Sequence, residues 1–280
     1  MPELPEVEVL TRHLKPRLIG RRIDSVKILR DGLIEERSPR SFSARLRTRQ
    51  IVDVRRRAKL LRLDLDDGSH WLVHQKMTGR LAWHRQRPDP SPHLLALFGL
   101  DRGVLSFTDL RRFGRMWWLP PGEVQSHFER LGPEPLDGEW TVDRFHDDLA
   151  RRTIAIKQAL LDPRLVAGIG NIYASESLHR ARIHPARPAA SLTRAEASRL
   201  RRAVRAVLKR AIALGSTVLP TGDDVRPVYY HGGDSEPLVA DEFRVYDREH
   251  LPCPACGTPI ERLRQGQRST YFCPACQEGS

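Results

Sequence analysis

Long apolar stretches are the first thing this chain lacks. No run approaches the ~18 residues that span a bilayer, and the opening MPELPEVEVL has neither the basic segment nor the apolar centre of a secretion signal. A soluble, cytoplasmic protein is expected. Lysine is scarce as well: only six of the 47 basic residues are Lys, at 15, 27, 59, 76, 157 and 209. GC-rich codon usage explains Arg over Lys, but not the excess of basic residues over 35 acidic ones. Cysteine is rare and confined, with four residues, all within the last 28. In a reducing compartment that clustering argues against a disulfide framework and for a metal. Nothing suggests an obligate oligomer, so a monomer is expected.

What is present is positive charge. A formal net charge of +12 and a pI near 10.2 imply a polyanionic partner, because Lys and Arg that neutralise phosphates release condensed counterions. Nucleic acid is the first candidate. At 280 residues the chain suits two modest domains.

The hydrophobic periodicity divides accordingly. Residues 3–19 read as an amphipathic helix, with Val7, Leu10, Leu14 and Leu18 on one face. From 21 to about 119, short apolar or alternating runs (IDSVKIL, QIVDV, LLRLDL, HWLVHQ, LLALFGL, GVLSFTDL, RMWWL) are separated by turn pairs such as Asp31-Gly32 and Asp67-Gly68. This is the pattern of a β-sandwich or barrel. A Pro/Gly-rich stretch at 131–140 marks a hinge. Helices are expected over 141–150, 153–161, 170–180 and 193–214, followed by a long irregular segment from 215 to 250.

Three local patterns carry chemistry. Cys253-x2-Cys256-x16-Cys273-x2-Cys276 sets four thiolates at the spacing of a structural zinc site, with room for a β-hairpin between the knuckles. All four are used as ligands, which leaves no open position for catalysis. At the chain start, removal of Met1 would leave Pro2 with a free secondary amine. An α-amine has a pKa of ~7.7 to 8.0, so a useful fraction is neutral and nucleophilic. Taken alone, Pro2 reads first as an ordinary helix-start residue followed by solvated glutamates. Lastly, Gly168 and Gly170 precede a helix whose first amides, with Asn171, can hold a phosphate.

Together these residues resemble one family. PELPEVE at the start, RRRAKLLRLDL around Lys59, DLRRFG at 109–114, LGPEPL at 131–136, IKQALLD with GIGNIYASE, IHP at 183–185, and CGTPI with RSTYFCPACQ are similar, in the same order, to formamidopyrimidine-DNA glycosylases and their endonuclease VIII-like relatives. The resemblance implies an α+β fold: an N-terminal β-sandwich flanked by helices, then a helix-two-turn-helix domain with a C-terminal zinc β-hairpin. The implied boundaries are 1–135 for the catalytic sandwich, 136–220 for the helical domain, 221–250 for a base-capping or linker loop and 251–280 for the zinc finger.

For function the resemblance implies a bifunctional DNA glycosylase and abasic-site lyase. Its partner would be damaged double-stranded DNA, held in a cleft between the domains within the bacterial nucleoid. Pro2 would attack C1′, Glu3 would protonate the deoxyribose ring oxygen, Glu6 would orient the amine, and Lys59 and Arg268 would serve the elimination steps. Met77, Arg111 and Phe113 would fill the space left by the flipped nucleotide. Phosphate would be gripped by His74, Asn171 and Arg268, with Arg152, Lys157 and, more weakly, His93 beside them. His93 carries less because SPHLLAL departs from the family's polar pattern there. Two further departures bear on substrate: Gln75-Lys76, where purine-preferring members usually carry Leu-Gly, and the divergent 217–241 loop. Oxidised purines (8-oxoguanine and formamidopyrimidines) are the expected substrates. Oxidised pyrimidines, or a non-catalytic damage-binding role, are the alternatives.

Overall fold

The computed structural model describes residues 2–35, 38–215 and 242–278. The chain forms two compact units, one running through Glu129 and the other beginning at Arg130.

The first unit is a β-sandwich. Its strands are β1 (Ile23–Ile28), β2 (Ile51–Arg57), β3 (Leu60–Leu65), β4 (His70–His74), β5 (Gly79–His84), β6 (Leu94–Leu100), β7 (Val104–Asp109) and β8 (Arg115–Leu119). They make two four-stranded sheets, β1-β6-β7-β5 and β2-β3-β4-β8, antiparallel throughout. Leu61, Leu63 and Val73 from one sheet and Leu81, Leu105 and Phe107 from the other are buried in a single core. Trp71 and Phe98 meet across it with ring centroids 4.3 Å apart. Each such side chain contributes ~1.5–3 kcal/mol by leaving water.

Helix α1 (Leu4–Leu18) lays its Val7, Leu10, Leu14 and Leu18 face into this core, and packs on β2 and β3. It starts at Glu3 because a reciprocal capping box with Glu6 satisfies orphan amides of the first turn. It stops at Gly20, whose φ of 80° suits glycine. Three elements escaped the sequence reading. Helix α2 (Pro39–Leu46) has a Ser38 cap and a leading proline, but only Phe42 and Leu46 are buried, too few to print a period. Strand β5 begins on a glycine, and α3 (Val124–Phe128) is just over one turn.

The second unit holds α4 (Val142–Ala150), α5 (Ile156–Leu161), α6 (Asn171–Ala181), α7 (Arg194–Ala213) and the hairpin of β9 (Glu261–Gln265) and β10 (Arg268–Phe272). Helix α6 is buried from Ile172 through His179 and packs on α5, α7 and β10. Helix α7 begins at a Thr193–Glu196 capping box and turns Leu200, Val204, Leu208 and Ala211 inward. Ala203 is buried with them, and Val207 is half-buried. Residues 183–185 fasten the hairpin: Gln277 Nε2 donates to Ile183 O at 2.9 Å, Gln265 Nε2 donates to Pro185 O at 3.0 Å, and the His184 ring meets Phe272 edge-on. Among the described residues no helix is long and apolar enough to cross a membrane. The 217–241 loop lies outside the described residues.

Candidate active site and metal centre

In the first unit the site begins where α1 begins. Pro2 is buried, and the next residue, Glu3, is 2% exposed. Glu3 N–H donates to Glu6 Oε2 at 2.8 Å, so Glu6 acts on the peptide beside Pro2 and fixes the direction of the chain there. Arg56 ties this helix to the β2–β3 hairpin: its Nε donates to Glu8 Oε2 at 3.0 Å and its Nη1 to Ala58 O at 3.1 Å. Ala58 sits at φ 54°, and the hairpin turn presents Lys59, half-buried.

Lys59 lies next to His74, because Leu60 and His74 are register partners in the β3–β4 pair. His74 Nδ1 accepts the Lys76 backbone N–H at 2.9 Å, which leaves the ring's proton on Nε2. Burial pulls the His74 pKa down to about 3, with the positive charges of Lys76 and Lys59 adding to the effect. His74 is therefore a neutral N–H donor at physiological pH.

Just beyond, two loops stand side by side. Residues 75–78 link β4 to β5 and carry Met77, 36% exposed; residues 110–114 link β7 to β8 and carry Arg111 and Phe113, the latter 46% exposed. The Arg111 guanidinium lies 4.8 Å from the centre of the Phe113 ring. Lys76 and Arg112 adopt φ of 54° and 56°, a left-handed conformation that needs local support in residues other than glycine. His93, at the entry to β6, is exposed, and its carbonyl accepts the Asp109 N–H at 2.8 Å. Asp109 and Thr78, which bind these loops together, were not singled out from sequence, although Asp109 opens the DLRRFG motif.

In the second unit, α6 starts at Gly170, which has no capping side chain. Asn171 Nδ2 donates to Ser269 O at 3.0 Å, and its Oδ1 accepts from Lys157 Nζ at 2.7 Å. An ammonium cannot accept, so this contact fixes the amide with its oxygen toward Lys157 and its nitrogen toward Ser269. Arg268 is exposed one residue before Ser269, at the start of β10 where the hairpin turn ends.

Two basic residues expected at phosphate make internal bonds. Lys157 is 1% exposed, and its ammonium also donates to Ser269 O at 3.0 Å and Thr270 Oγ1 at 2.6 Å. The ammonium so enclosed ties α5 to α6 and β10. Arg152 pairs with Asp162, Nη1 to Oδ2 at 2.8 Å. Burial alone would raise the Asp162 pKa, but hydrogen bonds from Arg164 and Arg152 hold it below the carboxylate range, so the pair stays ionised. Glu176 was missed altogether. Its buried carboxylate accepts the backbone N–H groups of Arg244, Val245 and Tyr246 at 3.0, 3.0 and 2.8 Å. Burial pushes its pKa up against the pull of those donors.

The Sγ atoms of Cys253, Cys256, Cys273 and Cys276 all lie within 4.8 Å of one another, with Cys253–Cys276 at 3.9 Å and Cys256–Cys273 at 3.4 Å. A zinc ion with Zn–S bonds of ~2.3 Å in a tetrahedron sets sulfur–sulfur edges of about 3.8 Å. The cage fits zinc. His179 of α6 brings Nε2 to 3.4 Å from Cys253 Sγ, the kind of outer contact that orients a ligand.

The comparisons with known proteins cover the chain from end to end. Residues 1–116 match the formamidopyrimidine-DNA glycosylase N-terminal domain, 131–222 the formamidopyrimidine-DNA glycosylase H2TH domain, and 251–279 the zinc finger found in FPG and IleRS. The formamidopyrimidine-DNA glycosylase of Symbiobacterium thermophilum is 44% identical, with 99% of this chain and 89% of that protein covered. The one from Thermus thermophilus is 41% identical, over 99% and 98%. The crystal structure of the MutM (FPG) protein of Thermus thermophilus superposes with a TM-score of 0.84 at 39% identity, covering 100% of both chains. A Lactococcus lactis FPG mutant in complex with DNA containing Fapy-dG superposes with a TM-score of 0.90 at 29% identity, over 99% of this chain and 100% of that one. One structural zinc accompanies this fold, and the chain belongs to the formamidopyrimidine-DNA glycosylase family.

Proposed function

We propose that the chain is a bifunctional DNA glycosylase and abasic-site lyase of base excision repair, acting on oxidised purines in duplex DNA in the bacterial cytoplasm. The observation that carries this reading is the chain start: a buried proline followed directly by a buried carboxylate, Glu3, whose peptide is fixed by Glu6. The solved Lactococcus relative bound to Fapy-dG DNA supports the lesion class.

A stacked base is out of reach, so the damaged nucleotide is first rotated out of the helix, at a cost of a few kcal/mol that is least for damaged or mispaired bases. Met77 and Phe113 enter the vacated space and Arg111 bonds the orphaned partner base. The Pro2 nitrogen, freed by loss of Met1, attacks C1′ while Glu3 gives a proton to the ring oxygen. The C1′–N bond breaks, the base leaves, and an iminium joins Pro2 to the opened sugar. That cation acidifies the C2′ protons, so the 3′-phosphate and then the 5′-phosphate depart by β- and δ-elimination, with Lys59 and Arg268 beside them. His74 donates its neutral Nε2–H, and Asn171 its remaining Nδ2–H, to backbone phosphate.

Borohydride trapping on abasic-site DNA tests the reading. The intact protein gives a covalent adduct that Pro2→Gly does not form. Absence of adduct with the intact protein would favour a non-catalytic DNA-binding role.

A further inference from the structure

Beneath the two exposed loops of the first unit lies one carboxylate. Asp109 is 1% exposed. Its Oδ1 accepts from Thr78 Oγ1 of the Met77 loop and from the Arg111 backbone N–H at 3.1 Å. Its Oδ2 accepts from the Gly114 N–H at 2.7 Å, at the far end of the Arg111–Phe113 loop. Thr78 Oγ1 in turn receives the Arg111 N–H at 3.1 Å. The loops are also seated on a common floor. A Cβ at Gly79 would come within 2.7 Å of the Phe107 ring and one at Gly114 within 2.5 Å of it, so both chains lie directly against Phe107. Gly79 and Asp109 are register partners in the β5–β7 pair.

We infer that Asp109 is a positioning residue that couples the Met77 loop to the Arg111–Phe113 loop, so that the three side chains enter the DNA stack as one rigid probe. The inference rests on the proposed wedge roles of Met77, Arg111 and Phe113. Its physical basis is acceptor geometry. Three donors from two loops converge on two oxygens of one buried group, and a carboxylate accepts at both without itself presenting a hydrogen. An amide cannot replace it. Asparagine has one oxygen, so either the buried Gly114 N–H faces an NH2 group and loses its partner, or the Thr78 hydroxyl and the Arg111 N–H lose the acceptor they share and only their bond to each other remains.

The test uses the intact protein, Asp109→Asn, Thr78→Val and Phe113→Ala. Three measurements are made on each: single-turnover excision from duplex DNA, fluorescence of 2-aminopurine placed opposite the lesion, and borohydride trapping on a single-stranded abasic oligonucleotide, where there is no partner base to displace. Asp109→Asn is expected to slow duplex excision by about tenfold to a hundredfold and to suppress the 2-aminopurine signal, with single-strand trapping within about twofold of the intact protein. Thr78→Val, which removes one tie and keeps the side-chain shape, follows in the same direction with a smaller effect and covers the case in which Asp109→Asn does not fold. Equal losses on duplex and single strand would make Asp109 a stability residue only and overturn the inference. Should Phe113→Ala abolish the fluorescence signal while Asp109→Asn and Thr78→Val keep it, the coupling is wrong and the wedge reading stands. A signal untouched by Phe113→Ala sinks the wedge reading, and the inference with it.

Discussion

Two groups of candidate contact residues, one in each unit, are held in opposite ways. In the loops of the first unit, side chains stand out from the surface, with Met77 36% and Phe113 46% exposed, and hydrogen bonds from below hold the backbone of the Arg111–Phe113 loop. In the second, a side chain that looks equally like a contact residue, Lys157, is 1% exposed and surrounded by Asn171, Ser269 and Thr270. The lesson concerns charge. A net +12 correctly announces a polyanionic partner, because counterion release depends on the sum. It cannot say which cations face that partner, because an ammonium with three internal acceptors is as positive in the count as one in solvent.

The largest effect should come from cutting the second unit's wiring at its metal. Zinc binding is worth ~10–16 kcal/mol in finger-sized peptides, as much as or more than the ~5–15 kcal/mol that holds a whole domain. Cys273→Ser should therefore release the ion, unfold the hairpin and abolish DNA binding, while the sandwich stays folded. Four of the five tryptophans, at 71, 83, 117 and 118, lie in the first unit, so near-UV circular dichroism should largely persist as a chromogenic chelator reports released zinc. Loss of that signal along with the zinc would show that the two units do not fold independently.

A smaller effect is expected at Lys157. In Lys157→Met the Asn171 Oδ1 and the buried Thr270 Oγ1 lose a donor while Ser269 O keeps Asn171 Nδ2, for a destabilisation on the order of 2 kcal/mol, and the Asn171 amide is held at one end only. Affinity for DNA should fall while the slope of log K against log salt stays unchanged, because no phosphate contact has been deleted. A slope reduced by ~0.9, the value for one neutralised phosphate, would put Lys157 back on the surface.

How much of this could be read from the sequence follows the same division. The zinc cage was legible because ligand spacing is fixed by coordination geometry, and Cys253, Cys256, Cys273 and Cys276 do converge. The sandwich was legible because seven of its strands carry apolar runs bounded by turn residues. Strand β5 was not, because GRLAWH opens on the glycine that lets the Met77 loop sit on Phe107. Asp109 looked like any turn acid, and its partners Thr78 and Arg111 are 31 and 2 residues away. The enclosure of Lys157 was not legible, because it depends on β10, more than a hundred residues later. Local geometry leaves a mark in sequence, whereas burial by a distant segment does not.

The last comparison probes whether the first unit also holds a cation-like residue that is not a cation. His74 has a folded pKa of about 3, against 6.5 for the free side chain. Below pH 6.5 the unfolded chain takes up a proton that the folded chain refuses until about pH 3. Stability attributable to His74 is thus intact above pH 6.5 and is lost progressively between 6.5 and 3, at roughly 1.4 kcal/mol per pH unit at most. Urea midpoints of the intact protein and of His74→Gln, compared at pH 7, 5 and 4, should converge on acidification, because glutamine has no proton to refuse. Parallel curves would mean that His74 titrates normally. The DNA side of the same variant completes the argument: a neutral Nε2–H contributes a hydrogen bond but releases no counterion, so His74→Gln should weaken binding by the same factor at every salt concentration, whereas removal of Lys59 should weaken it most at low salt.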